Sequence, residues 1–141
     1  IPAEAVVTWD LRAQYNKTMD ELCAKFLPAI EGAAASIGAT VEVRDSFRIP
    51  AAELHDEATA LLAESISAVL GESNCVEPIY TPGGEDFFFY TVEKPSLKAG
   101  FFGLGCNLRP GLHHPDMNFD TSALENGVSI WLDLVKRLLG E

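Results

Sequence analysis

The chain has 141 residues, of which 48% are hydrophobic and 22% charged, a balance typical of a globular protein that can bury one core or two small ones. Its formal net charge of -11 argues against a nucleic-acid partner, because nucleic-acid binding needs a cationic surface. No apolar run approaches the ~20 residues that a membrane-spanning helix requires, so we expect no membrane partner either.

The first third of the sequence predicts a strand–helix–strand unit. Residues 4–12 alternate between apolar and polar side chains, with the period of two that is typical of a half-buried strand. A helix with apolar residues three and four positions apart follows from about Thr18 and ends at Gly38, and Pro28 should kink or split it. Residues 40–49 alternate again and predict a second strand, parallel to the first.

Pro50 ends this pattern and is the predicted boundary between two domains, residues 1–50 and 51–141. The second domain should begin with a helix over 52–70, which is followed by a segment rich in proline, glycine and aromatic residues. Within that segment, 101–104 is apolar enough to predict a short buried strand.

The final helix, over 121–139, has the clearest pattern in the sequence. We expect its core-facing side to consist of Leu124, Val128, Trp131, Leu132, Val135, Leu138 and Leu139. With the preceding elements, it predicts an α/β (α+β) fold: a strand–helix–strand unit followed by a helix–strand–helix unit.

Two of the three histidines lie beside a proline, in the sequence His113-His114-Pro115. A turn just before a helix can present a neutral imidazole to a metal, although a surface turn without any ligand explains the sequence about equally well. A catalytic zinc needs about three protein ligands, and the sequence has no second cluster of histidines or cysteines to supply them. Asp116 and Asp120 are near, but carboxylates just before a helix more often cap it.

A second candidate site is the loop formed by Gly83, Gly84, Glu85 and Asp86. Two glycines permit positive φ and close backbone approach, which would suit a loop that holds a ligand through its N–H groups. A tight turn capped by one of the two acidic residues is the equally weighted alternative. Arg12 and His55 are interpreted as exposed side chains without a site.

The cysteine content bears on the compartment. Cys23, Cys75 and Cys106 are odd in number and lack close spacing, which fits reduced thiols better than a disulfide framework. We therefore expect a cytoplasmic protein.

Several motifs in order resemble one family of metal-dependent hydrolases. They are Gly-Gly-Glu-Asp-Phe-Phe-Phe-Tyr at 83–90, Phe-Phe-Gly-Leu-Gly at 101–105, and Leu-His-His-Pro at 112–115, followed by the long terminal helix. The sequence resembles the C-terminal part of the metallopeptidase family that includes aminoacylases, hippurate hydrolases, auxin-conjugate hydrolases and glutamate carboxypeptidase. The opening Ile-Pro-Ala-Glu is similar to an element in the middle of that family's lid domain.

The resemblance implies a role for each part of the chain. Residues 1–50 would be the second half of a ferredoxin-like lid, through which such enzymes dimerise, and 51–141 the end of the α/β catalytic domain. His113 would bind a divalent metal, zinc or manganese, with His114 as a neighbour without a ligand role. The loop 83–86 would border the substrate pocket. The other metal ligands and the glutamate base would lie upstream, so this chain would hold an incomplete metal site and no catalytic residue.

Two functions are therefore expected. The first is a C-terminal fragment of an amidohydrolase that cleaves N-acyl amino acids or small peptides with a metal-activated water, inactive alone. The alternative is a binding or dimerisation module derived from such an enzyme. In both cases we expect a homodimer through the lid unit, and the opening without an initiator methionine suggests a piece of a longer polypeptide.

Overall fold

The computed structural model describes residues 2–81 and 83–140, and its regular elements are helical. Ile1, Pro82 and Glu141, which include the outer ends of both predicted domains, lie outside the described residues. The helices are α1 (Asn16–Ala35), α2 (Asp56–Leu70), α3 (Phe89–Glu93) and α4 (Ala123–Leu139), with short 3-10 helices at Glu72–Asn74 and Asp86–Phe88. No helix in this part of the chain has the length and apolar character to cross a membrane.

The predicted α/β (α+β) class is wrong. Among the described residues there is no β-strand, and the one β-bridge, between Arg109 and Asn118, is isolated. The segments predicted as strands, 4–12, 40–49 and 101–104, are irregular. Alternation of side chains indicates which face a strand would bury, but a strand exists only when a neighbouring backbone pairs with it. Neither the strand–helix–strand unit nor the helix–strand–helix unit therefore forms.

The chain divides into two compact units. The first unit contains Ile1–Glu53 and Tyr80–Ser96, and the second unit contains Leu54–Ile79 and Leu97–Glu141. The predicted division at Pro50 remains a prediction about the domains of the whole protein.

In the first unit, the start of α1 is held by hydrogen bonds with the segment that follows the helix. The Glu53 carboxylate accepts a hydrogen bond from the Asn16 N–H (2.7 Å), and the Asn16 side chain accepts one from the Ala51 N–H (2.9 Å). A carboxylate at this end of a helix pairs with an otherwise unsatisfied N–H group and with the positive end of the helix dipole. The helix continues through Pro28 without the predicted split.

Phe88 is the most buried large side chain of the first unit, with 1% of its surface exposed. The ring of Trp9 meets that of Phe26 edge-to-face, with 5.4 Å between centroids. Many other apolar side chains of this unit are exposed, among them Phe47 (84%).

In the second unit, α2 packs against α4, and the core is made of Leu62, Ser65, Ala99, Ala123, Ile130 and Leu134. Gly100 lies so close to α2 that a Cβ atom there would come within 2.6 Å of the Leu62 side chain and 3.1 Å of the Ala58 carbonyl oxygen. Only a residue without a side chain fits at this position without displacing the helix backbone.

The face of α4 that packs in the core differs from the predicted one. The buried residues are Ala123, Ile130 and Leu134, whereas the seven residues expected to face the core are 47–70% exposed. Each buried residue directly precedes one of the predicted residues in the sequence. Since successive residues are about 100° apart around a helix, the two faces differ by about 100°. Because α4 is apolar on both, the periodicity of its sequence does not decide which face is buried.

Candidate functional site

The two adjacent histidines lie in a closed loop in the second unit. Its ends are joined by the bridge between Arg109 and Asn118, in which each N–H donates to the other's carbonyl oxygen at 2.8 Å. The bond between Arg109 and Pro110 is cis. The bridge fixes where the eight intervening residues begin and end.

Two consecutive turns fill this loop. The backbone N–H of His114 donates to the Gly111 carbonyl (3.4 Å), and the backbone N–H of Met117 donates to the His114 carbonyl (3.0 Å). His113 is the third residue of the first turn and has a φ of 60°. Positive φ at that position is the feature of a type II turn, where glycine or asparagine is favoured. An imidazole is therefore present at a position whose backbone would favour glycine.

The two imidazoles have different surroundings. His114 Nδ1 accepts a hydrogen bond from the Asp116 N–H at 3.1 Å, so in the neutral ring its proton is on Nε2. His113 is exposed, and its imidazole makes no hydrogen bond with the residues that the structure describes. His113 thus has a free lone pair to offer, whereas the lone pair of His114 is used within the turn.

Asp120 holds the turn that leads from this loop into α4. Its carboxylate accepts hydrogen bonds from the Ser122 hydroxyl (2.7 Å) and the Ser122 N–H (3.0 Å). These bonds, the one from the hydroxyl above all, lower the pKa of the Asp120 carboxyl. The carboxylate holds the turn that precedes α4 rather than capping the helix itself, whose N-cap residue Ser122 has no side-chain cap bond, and none of its hydrogen bonds involves His113.

A pH dependence of stability follows from Asp120. Since its pKa is lower in the folded state, it contributes stability that is present above the unfolded carboxyl pKa of about 3.9 and is lost as the pH falls through the folded value.

Asp120→Asn keeps an acceptor but no charge. We expect this variant to melt below the parent at pH 7, by a difference that shrinks toward pH 3 or so. Thermal unfolding followed by circular dichroism measures it. The exposed Glu77, replaced by glutamine, is the control, and a difference that is constant with pH would contradict the prediction.

The glycine loop belongs to the first unit and is a tight turn into a 3-10 helix. The Gly83 N–H donates to the Thr81 hydroxyl (2.9 Å), and the Glu85 carboxylate caps the helix by accepting from the Phe87 N–H (3.4 Å). Neither glycine has a positive φ. Gly84 instead permits close packing, because a Cβ atom there would meet the Ile49 side chain at 3.3 Å. That Gly83, Gly84, Glu85 and Asp86 bind substrate stays a prediction.

The described residues do not form a complete metal centre. Within residues 2–81 and 83–140, no three histidine, cysteine, aspartate or glutamate side chains are grouped closely enough to hold an ion. His113 has the donor chemistry for one ligand, but one imidazole is far from the three or more that zinc sites use. His55 precedes α2, and its backbone N–H donates to the Ala99 carbonyl (2.8 Å). Arg12 forms an ion pair with Asp10 (2.6 Å).

Sequence reasoning missed the bond between Asp116 and His114. Asparagine and aspartate side chains often accept the N–H two residues on, but histidine is not among the residues for which this is a general signal. The bridge at the ends of the loop has no comparable signal, since it pairs residues nine apart through their backbones alone.

The family comparison agrees with the motifs. Residues 5–137 match the family described as Peptidase family M20/M25/M40. Over 138 residues the chain is 28% identical to a protein of Rhodococcus jostii (strain RHA1) named as a glutamate–cysteine ligase 2-3. That alignment covers 96% of this chain but 17% of the relative, so the chain spans about a sixth of the relative's length. No solved structure matches the chain.

Proposed function

The chain belongs to peptidase family M20/M25/M40, and from this premise we propose that it is the C-terminal part of a metal-dependent amidohydrolase acting on N-acyl amino acids or small peptides. Peptidases are hydrolases of amide bonds, and the finer substrate class is our proposal. The observation that carries it is the geometry of His113, whose open imidazole stands in a turn that would favour glycine. Residues in unfavoured backbone conformations are concentrated at functional sites.

In this proposal, His113 contributes one ligand to a divalent metal, zinc or manganese, and the remaining ligands and the general base come from outside this chain. The loop of Gly83, Gly84, Glu85 and Asp86 borders the substrate. Since the described residues do not complete a metal centre, we expect the 141-residue chain alone to be inactive.

The test is hydrolysis by the complete polypeptide that contains this chain. Release of free amino acid from a panel of N-acetyl and N-benzoyl amino acids is measured before and after chelation, and after zinc or manganese is returned. We expect hydrolysis by the complete polypeptide alone, its loss on chelation and its recovery with metal. A folded complete polypeptide that binds neither metal and hydrolyses none of the panel would refute the proposal.

A binding or dimerisation module without catalysis is the second candidate. The relative from Rhodococcus jostii favours this candidate. This chain aligns with 17% of that protein, which is named as a ligase and not as a peptidase. The intact mass of the native protein and its hydrolysis of the panel together separate the candidates. A species of 15.3 kDa supports the module. A much larger species supports the hydrolase only if it also hydrolyses the panel, because the module could equally be one segment of a larger protein.

We also propose a homodimer formed through residues 1–50. In support, this segment exposes large apolar side chains, including Ile37 (82%) and Phe47 (84%), whose burial would be favourable. Phe47→Ser is expected to weaken self-association by about tenfold or more, since burying one phenylalanine is worth about 1.5–3 kcal/mol. Sedimentation over a range of concentrations measures it. Ile79→Ser, at a residue 78% exposed in the second unit, is the matched control, and equal effects of the two variants would contradict the proposal.

The cysteines support a cytoplasmic location as part of the proposal. Cys23, Cys75 and Cys106 are free thiols, and a reducing compartment keeps them so.

A further inference from the structure

His114 takes part in both turns of the closed loop. Its N–H closes the first turn on Gly111, and its carbonyl closes the second by accepting from the Met117 N–H. Its ring adds a third bond, from the Asp116 N–H to Nδ1 (3.1 Å), across Pro115. This side-chain bond to the N–H two residues on is the arrangement that asparagine and aspartate make in turns, and proline at the intervening position pre-sets the backbone for it.

The bond from Asp116 makes the two adjacent histidines chemically different. A neutral imidazole has one lone pair on nitrogen, and His114 uses it at Nδ1, which leaves Nε2 as an N–H donor. His114 therefore cannot offer a lone pair to a metal unless this part of the turn opens. His113 has no such bond to the described residues and keeps its lone pair available.

The backbone of His113 depends on its neighbours. A residue other than glycine at a φ of 60° persists only where the surrounding structure holds it. On one side the loop is closed by the bridge between Arg109 and Asn118, and on the other the bonds of His114 fix the residues that follow His113.

We infer that His114 is a positioning residue: its ring holds the segment that directly follows the turn of His113, through the bond from the Asp116 N–H, and it contacts neither metal nor substrate. That His113 binds a metal rests on the proposed function, whereas the hydrogen bond to the His114 ring can be measured independently of it. In this role His114 acts only as a hydrogen-bond acceptor, so a shorter acceptor such as asparagine should be able to replace it.

The experiment compares His114→Ala and His114→Asn in the complete polypeptide. Hydrogen exchange of the Asp116 amide reports the bond directly, and the ring nitrogens of ¹⁵N-labelled histidine report the tautomer. We expect His114→Ala to speed exchange at Asp116 at least tenfold, and His114→Asn to restore protection, because the asparagine oxygen accepts the same N–H. Unchanged exchange at the amides of α4 in both variants serves as the control for folding.

Binding of Zn²⁺ to the same variants, measured by calorimetry, tests the consequence for His113. We expect His114→Asn to bind as the parent does and His114→Ala to bind more weakly. Loss of binding in His114→Asn equal to that in His113→Ala would overturn the inference, because His114 would then be a ligand. Unchanged exchange at Asp116 in His114→Ala would overturn it too. A parent that binds neither Zn²⁺ nor Mn²⁺ and hydrolyses none of the panel, but shows the expected exchange pattern, would refute the proposed function and leave the positioning role intact.

Discussion

Replacing His113 by alanine in the complete polypeptide is expected to lower kcat/KM for N-acyl amino acids by at least about 100-fold. Groups that only orient a metal ligand cost 10–100-fold when they are removed, so loss of a ligand should cost at least the upper end of that range. His55→Ala is the matched control, since His55 is the third histidine and is exposed in the same unit. Steady-state kinetics and metal content of the two variants measure the effect.

A second variant at the same position separates chemistry from stability. Because His113 has a φ of 60°, glycine should relax a backbone conformation that costs a residue with a side chain about 1–2 kcal/mol. His113→Gly is therefore expected to unfold no more easily than the parent, while losing activity as fully as His113→Ala. Substantial activity in His113→Gly would show that the imidazole is not needed.

The three long helices could be predicted because their signals are local. The C-terminal helix, predicted over 121–139, is observed at Ala123–Leu139, and the helix predicted over 52–70 is observed at Asp56–Leu70. Each carries its own apolar periodicity, and α4 also has basic residues in its last turn. Such signals act between residues a few positions apart, so a helix that they predict does not depend on a distant part of the chain.

The strands were predicted wrongly because a strand depends on a partner that local sequence does not specify. Residues 4–12 and 40–49 alternate as strands do. An ion pair between Glu4 and Arg44 joins them, but no backbone ladder does. Alternation describes side-chain preference only.

The candidate site was partly predictable for a similar reason. His113 could be chosen from its motif, but its unusual backbone could not. The positive φ that Gly83 and Gly84 would permit is not observed at either glycine. The conformation at His113 is set by the bridge between Arg109 and Asn118 and by the bonds of His114, which are properties of the folded loop.

Ile130→Ala is expected to destabilise the second unit by about 2–5 kcal/mol, the largest stability effect we predict. Ile130 is 1% exposed in the part of α4 that packs on α2, so the deletion leaves a cavity in addition to the lost apolar burial. Leu132, two residues on, is 57% exposed, and Leu132→Ala should cost less than about 1 kcal/mol. Urea unfolding followed by circular dichroism measures both.

The pair also tests which face of α4 is buried in the protein. The sequence pattern favoured the face that contains Leu132, whereas the structure buries the face that contains Ile130 and Leu134. Helix propensities of leucine and isoleucine differ by only a few tenths of a kcal/mol, so a difference of 2 kcal/mol or so between the variants must come from packing. A larger loss in Leu132→Ala than in Ile130→Ala would mean that α4 is turned by about 100° from the orientation described, with its predicted face in the core.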